Sequence, residues 1–296
     1  MKSINDAATN KFTIIGKLLD ATFSDGKTKD GRIWNRANIT VRTTQTYNGR
    51  TETSEIPVTL FATQFTANNT LHPGYANIQQ LKEMKTVQNF GEVEAATVRM
   101  TGAQIGENMY VARSGQLITN WRLSTSFLNE SARAADIASF NVDVFIMDMF
   151  DEVDREGDVT GRLIIKGGIV QYGGRLDVIE FVVESPDYVD YIQRNYNIND
   201  TVNLGGRVRW TSVEEKKATN ESSWGETLPE TTTKVVRELI VTRGSDEGFD
   251  EEFAYDPAEI KKAFNIRKAN IEQLQLNAVH AEKKAETATP SKYSWE

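Results

Sequence analysis

Two stretches of this chain carry the same order of local patterns, and that repetition limits the fold more than any single residue does. The first runs from Phe12 to Leu123 and the second from Phe140 to Arg243. Each reads as strand, strand, hairpin, strand, then a short helical patch, then two further strands. The patches are Ala76–Met84 and Asp187–Arg194. Each precedes a strand of similar make-up, Thr97-Val-Arg-Met-Thr-Gly102 in the first stretch and Thr201-Val-Asn-Leu-Gly-Gly206 in the second. Five strands in this order, with the helix before the fourth, predict a Greek-key barrel. Its recurrence predicts a mainly β protein of two such five-stranded barrels in tandem. A length of 296 residues suits roughly two domains.

The punctuation of the chain sets expected boundaries. Residues 1–10 are polar and read as a mobile arm. The first barrel is expected over 11–128, a small, polar, alanine-rich linker over 129–139, and the second barrel over 140–245. Asn48-Gly49 marks a tight hairpin, because a type I′ turn needs positive φ at both central residues. Gly173-Gly174 marks the corresponding hairpin of the second half. Thr63–Tyr75 is a long connection, and Glu214–Gly225 reads as a polar finger between two strands. Residues 246–256 form an acidic run with three aromatics. Asp256-Pro257 fits a helix N-cap followed by proline at the first helical position. An amphipathic helix is expected over 257–286, with Ile260, Phe264, Arg267, Ile271, Leu274 and Ala278 along one side. Residues 287–296 read as a flexible tail.

Several classes of chemistry are excluded or disfavoured. The chain has no cysteine, so disulfides and thiolate metal sites are ruled out. Its two histidines, His72 and His280, are far apart and show no metal-ligand spacing. Gly167-Gly168 is not followed by Gly-Lys-Ser/Thr, so it is no P-loop. The acidic run Asp148–Asp158 lacks the glycine and terminal glutamate of an EF-hand. No carboxylate pair stands out as an acid and base, so no catalytic residue and no cofactor are expected. No run of about 18 apolar residues predicts a membrane span, and Met1-Lys-Ser-Ile-Asn-Asp has no apolar core of a secretory signal.

The net charge of −8 is unevenly placed. Residues 1–128 hold 14 basic and 10 acidic side chains, residues 129–245 hold 13 and 21, and residues 246–296 hold 7 and 11. A polyanion responds to the local surface and not to the average, so the first barrel is the expected nucleic-acid contact.

Its second strand is the most telling segment. Side chains alternate along a strand, which puts Ile33, Ala37, Ile39 and Val41 on the core face. Trp34, Arg36, Asn38, Thr40 and Arg42 then share the wet face. An indole interleaved with guanidinium groups can stack bases and meet phosphates. The fourth strand turns Val98 and Met100 inward and Arg99 outward. Phe61 lies on the outward face of the third strand, and Arg113 near the last strands. Trp121 shares parity with Leu117 and Leu123 and is expected in the core. A barrel of this strand order is the pattern of the OB-fold, whose loops border a groove that often takes single-stranded nucleic acid. Lys27, Lys29 and Arg32 in the first loop, and Tyr47 and Arg50 at the hairpin tip, are therefore candidates. The second half adds Lys166, Tyr172, Arg175, Arg207 and Arg209.

Phe12-Thr-Ile-Ile-Gly-Lys-Leu is similar to the opening strand of bacterial single-strand-binding proteins, and Gly31-Arg-Ile-Trp-Asn-Arg-Ala-Asn-Ile-Thr-Val-Arg42 resembles their second strand. The chain as a whole resembles a bacteriophage single-stranded DNA-binding protein of tandem OB-folds. That resemblance implies a sequence-tolerant binder of single-stranded DNA acting on replication or recombination intermediates in the host cytoplasm. Replication or recombination proteins would be partners recruited through an acidic tail. Here the acidic-aromatic run Asp246–Asp256 and the helix after it would serve that role, although the run lies internally, which departs from the family pattern. The alternative is a phage structural or assembly protein built of β-barrels.

Overall fold

The computed structural model describes residues 1–6, 8–112, 115–132, 135–216 and 231–287. Strands β1 (Asn10–Lys27), β2 (Ile33–Tyr47) and β3 (Arg50–Thr63) form a meander, followed by helices α1 (Pro73–Leu81) and α2 (Val87–Phe90). Strands β4 (Thr97–Val111) and β5 (Leu117–Thr125) complete a ring. β1 pairs with β2, β2 with β3, β3 with β5 in parallel, β5 with β4, and β4 closes onto β1. A two-residue strand β6 (Asn129–Glu130) is added outside β4.

The order then repeats. Strands β7 (Ile137–Val153), β8 (Val159–Gln171) and β9 (Arg175–Val183) precede helix α3 (Pro186–Asn195), and β10 (Thr201–Lys216) and β11 (Thr231–Gly244) follow it. β7 pairs with β8, β8 with β9, β9 with β11 in parallel, β11 with β10, and β10 closes onto β7. Both rings therefore share one strand order, with a helix between the third and fourth strands. The chain is mainly β with a C-terminal helix, α4 (Pro257–Thr287).

The rings are fused through their first strands. Asn10–Ile15 of β1 pair antiparallel with Val142–Ile137 of β7. Phe12 lies directly opposite Phe140, and the two rings stack at 5.7 Å between centroids. Both lie near the start of the first strand of their half, so corresponding segments of the two halves meet. Both phenylalanines are buried in one apolar cluster that runs through both rings. Closely packed aromatics at such a junction couple the two cores.

Local chemistry accounts for the turns and caps. Asn48 and Gly49 have φ of 49° and 76°, the left-handed values the β2–β3 hairpin requires. Pro73 opens α1, and His72 caps it by accepting the Gly74 amide at Nδ1 (3.0 Å). The helix thus starts before the expected patch, because Pro73-Gly74 begins it instead of ending the loop. Asp256 accepts the Ala258 amide (2.8 Å) and Pro257 begins α4, as that dipeptide predicts.

The ends of the chain behave differently from the expected arm. The Lys2 amide donates to the Ala254 carbonyl, the Ile4 amide to Glu259 and the Thr9 amide to Asp143. Residues 1–6 and 8–9 are therefore strapped across the start of α4 and β7. Most of the polar stretch 214–225 and the tail from 288 onward lie outside the described residues.

Candidate nucleic-acid interface

The outward face of β1, β2 and β3 follows from the alternation of β2. Asn35, Ala37, Ile39, Val41 and Thr43 are buried, while Arg36 and Asn38 are exposed and Trp34 is half-buried. Ile33, expected in the core, is 40% exposed because it sits at the open end of the barrel. Trp34 pairs with Gly26 of β1 and Thr63 of β3. A Cβ on Gly26 would lie 2.7 Å from the indole, so the glycine leaves the space in which the ring lies against β1. Phe61, 46% exposed, is the cross-strand partner of Arg36, and its ring centroid is 5.8 Å from that of Trp34. The Arg36 guanidinium lies 5.8 Å from both rings, within cation–π range. The three side chains form one platform with two π faces and one positive charge.

From this platform a groove of about 570 Å³ runs across β3 and β5 to β4. Arg36, Phe61, Thr59, Ser124, Gln104, Arg122 and Phe127 are among its lining residues, and no carboxylate is. Among the described residues, neither Arg36 nor Arg122 has a carboxylate within ion-pair distance. Two guanidinium groups, two phenyl rings and a row of hydroxyl and amide groups can hold phosphates, stack bases and hydrogen-bond their edges. Among the described residues no group of His, Asp or Glu is arranged to hold a metal ion.

The predicted site residues divide sharply. Trp34, Arg36 and Phe61 come together. Arg99 is exposed on β4, two residues along the same strand face from Thr101 of the groove. Lys27 is exposed where β1 ends opposite Ile33, and Lys29 is exposed in the following turn. Arg50 is exposed at the far hairpin tip. Arg113 lies outside the described residues.

Others are corrected by the structure. Arg42 shares the β2 face but is held by Glu55 (3.0 Å) and Glu92 (3.1 Å), which neutralise it. Arg32 is paired with Asp30 (2.7 Å). Tyr47 faces the second barrel instead of a groove: the Arg207 guanidinium lies 4.5 Å from its ring centroid, and burial raises its hydroxyl pKa. Arg207 and Arg209, expected on a binding face, sit in a partly buried ion cluster at the contact between the barrels. Arg207 bonds Glu52 and, at 2.9 Å, Glu184. Arg209 bonds Glu52 (2.9 Å), Glu184 (2.7 Å) and Glu238 (2.8 Å). Burial works against the charge of Arg209, but these carboxylates outweigh it and hold the guanidinium above its ordinary range. Burial likewise opposes the charge of Glu52, and its bonds to Arg209 and Arg207 prevail, lowering its pKa. Arg175 is paired with Asp177 (3.1 Å). Lys166 stands opposite Glu180 on β9. Tyr172 is fully exposed on the β8–β9 turn, which Arg175 ends.

Arg122 and Phe127 complete the groove without having been expected there. For Arg122 a signal existed: Trp121 is buried edge-on against Trp210 (4.9 Å), in step with Leu123, which turns Arg122 outward. Phe127 follows the end of β5, where strand alternation no longer predicts direction.

The model of the YorF family matches residues 8–277, from the beginning of β1 well into α4. The chain belongs to the YorF family. No curated protein sequence matches this YorF-family chain. Among solved structures it is similar to the wild-type single-stranded DNA binding protein from Thermus aquaticus, at 11% identity and a TM-score of 0.47, covering 83% of this chain and 96% of that one. A deletion mutant of the same Thermus protein gives 12% identity, the same TM-score of 0.47, and coverage of 83% and 98%. Neither likeness is close enough to transfer a function, and the surface itself has to carry the reading.

Proposed function

We propose that this chain binds single-stranded DNA, without catalysis, on the outward face of its first barrel. The observation that carries the reading is the Trp34–Arg36–Phe61 platform opening into a groove that holds Arg122 and no carboxylate. Each unpaired base offers a π face to Trp34 or Phe61, and stacking contributes roughly 1–3 kcal/mol per base whatever its identity. Arg36 and Arg122 neutralise phosphates and release counterions, so affinity falls as salt rises. In a duplex the base faces are already stacked and cannot reach the rings. Such a protein would coat and protect unpaired strands during replication or recombination.

Fluorescence anisotropy with a labelled oligonucleotide tests this. Trp34→Ala is expected to weaken binding by about 1–3 kcal/mol, a roughly 5- to 150-fold rise in Kd, with circular dichroism unchanged. Single-stranded DNA should bind far more tightly than the same sequence as a duplex, and an RNA arm reports sugar preference. Equal affinity for duplex, or no effect of Trp34→Ala, would falsify the assignment.

A further inference from the structure

The second barrel has its own counterpart of the proposed binding face, because β7, β8 and β9 occupy the places in their ring that β1, β2 and β3 occupy in theirs. The two faces differ in state. On the second, Phe145, Met147, Val170 and Leu176 point outward and are apolar. They pack against Tyr255, just before α4, and Ile260, Ala263 and Phe264 within it, with Ile4 and Ala8 of the N-terminal arm alongside. Farther along, Lys166 and Glu180 face a cleft of about 650 Å³ whose opposite side includes Glu107 and Trp121 of the first barrel and Arg267 of α4. Arg267 bonds Glu107 (2.7 Å from Nε), tying the helix to the first barrel. Four carboxylates line this cleft against three cations. A polyanion entering it would meet net negative charge between walls that belong to the protein itself.

We infer that one chain engages an unpaired strand through its first barrel alone: on the second, α4 and the N-terminal arm cover the hairpin end of the β7–β8–β9 face, and Arg162, toward the other end of β8, is held by Glu152 (3.2 Å) and Glu238 (2.6 Å). The inference rests on the reading of the first barrel above and adds the length of strand that a chain can occupy. The covered patch reserves its apolar surface for intramolecular packing, and Arg162, Arg175, Arg207 and Arg209 are held in ion pairs with acids. Duplication of the fold has therefore not duplicated the site.

The test uses the full chain and oligo-dT of increasing length, read by anisotropy, with the bound stoichiometry measured by sedimentation. Affinity per chain is expected to level off within the span of one barrel, on the order of 4–16 nucleotides. A double variant, Lys166→Ala with Arg175→Ala, should keep Kd within about twofold of the parent, whereas Arg36→Ala with Arg122→Ala should raise it about tenfold or more. All four positions are partly or fully exposed, and thermal melting checks that each variant is folded. If affinity continues to rise to about twice that length with one chain bound, the inference is overturned while the first-barrel site stands. The same holds if the Lys166/Arg175 pair matters as much as Arg36/Arg122. If the parent binds no single strand, or the Arg36/Arg122 pair has no effect, the first-barrel reading itself is wrong and the inference goes with it.

Discussion

The two barrels share a strand order and a helix position, yet their outward faces have opposite fates. Along β2 of the first, tryptophan, arginine and asparagine alternate with a buried apolar row, and that face is open. Along β8 of the second, Ile164 and Val170 take outward places and are buried, because other parts of the chain cover them. Closing a five-stranded ring settles which residues enter the core. It leaves the outer surface free to become solvent-facing or to become an interface, and the side chains on it decide which. An apolar outer row must find a cover. A polar row with aromatics can remain exposed and recognise something else.

Three experiments would break or sharpen this contrast. The largest effect is expected at the junction. Phe140→Ala removes a fully enclosed ring that stacks on Phe12 and should destabilise the chain by about 3–5 kcal/mol. If the barrels are truly coupled, calorimetry will show one lowered transition. Two separated transitions would mean that the halves are independent and that the shared apolar cluster does not bind them into one unit.

A smaller loss is expected in the ion cluster. Arg209→Ala leaves Glu52, Glu184 and Glu238 crowded without their common partner, at roughly 1.5–3 kcal/mol. Denaturant unfolding measures it. Oligonucleotide affinity should be unaffected, since this arginine serves the contact and not the groove; a parallel loss of affinity would show that the two surfaces are not separate.

The smallest effect concerns pH. The folded-state pKa of Glu52 lies below its ordinary value of 4.5. Its contribution is therefore complete above that value and disappears as pH falls through the lower, folded one. Glu52→Gln should lower the melting temperature near neutrality, and the gap from the parent should close on acidification below 4.5. A gap that stays constant across the acid range would show that Glu52 acts through shape and not charge.

Much of this architecture is legible in the chain itself. Alternation along β2 separates Ala37, Ile39 and Val41 from Arg36 and Asn38 because a strand has a period of two. Asn48-Gly49 and Asp256-Pro257 announce a turn and a helix start through backbone constraints that act over two or three residues. The concentration of positive charge in residues 1–128 singles out the barrel that carries the proposed groove. All of these are local or additive properties.

The fate of each arginine is neither. Arg36 on β2 and Arg209 on β10 look alike in sequence: each sits in a strand with an apolar neighbour and a tryptophan within two positions. Arg36 meets two rings and open water, while Arg209 meets Glu52, 157 residues away, together with Glu184 and Glu238. Whether a charge is available depends on what the folded chain brings within about 4 Å of it, and Coulomb attraction does not know sequence separation. The periodicity of the chain could say which side chains face outward. Which of those outward faces would meet water, and which would meet the other barrel or α4, was settled when distant segments packed together and matched their charges.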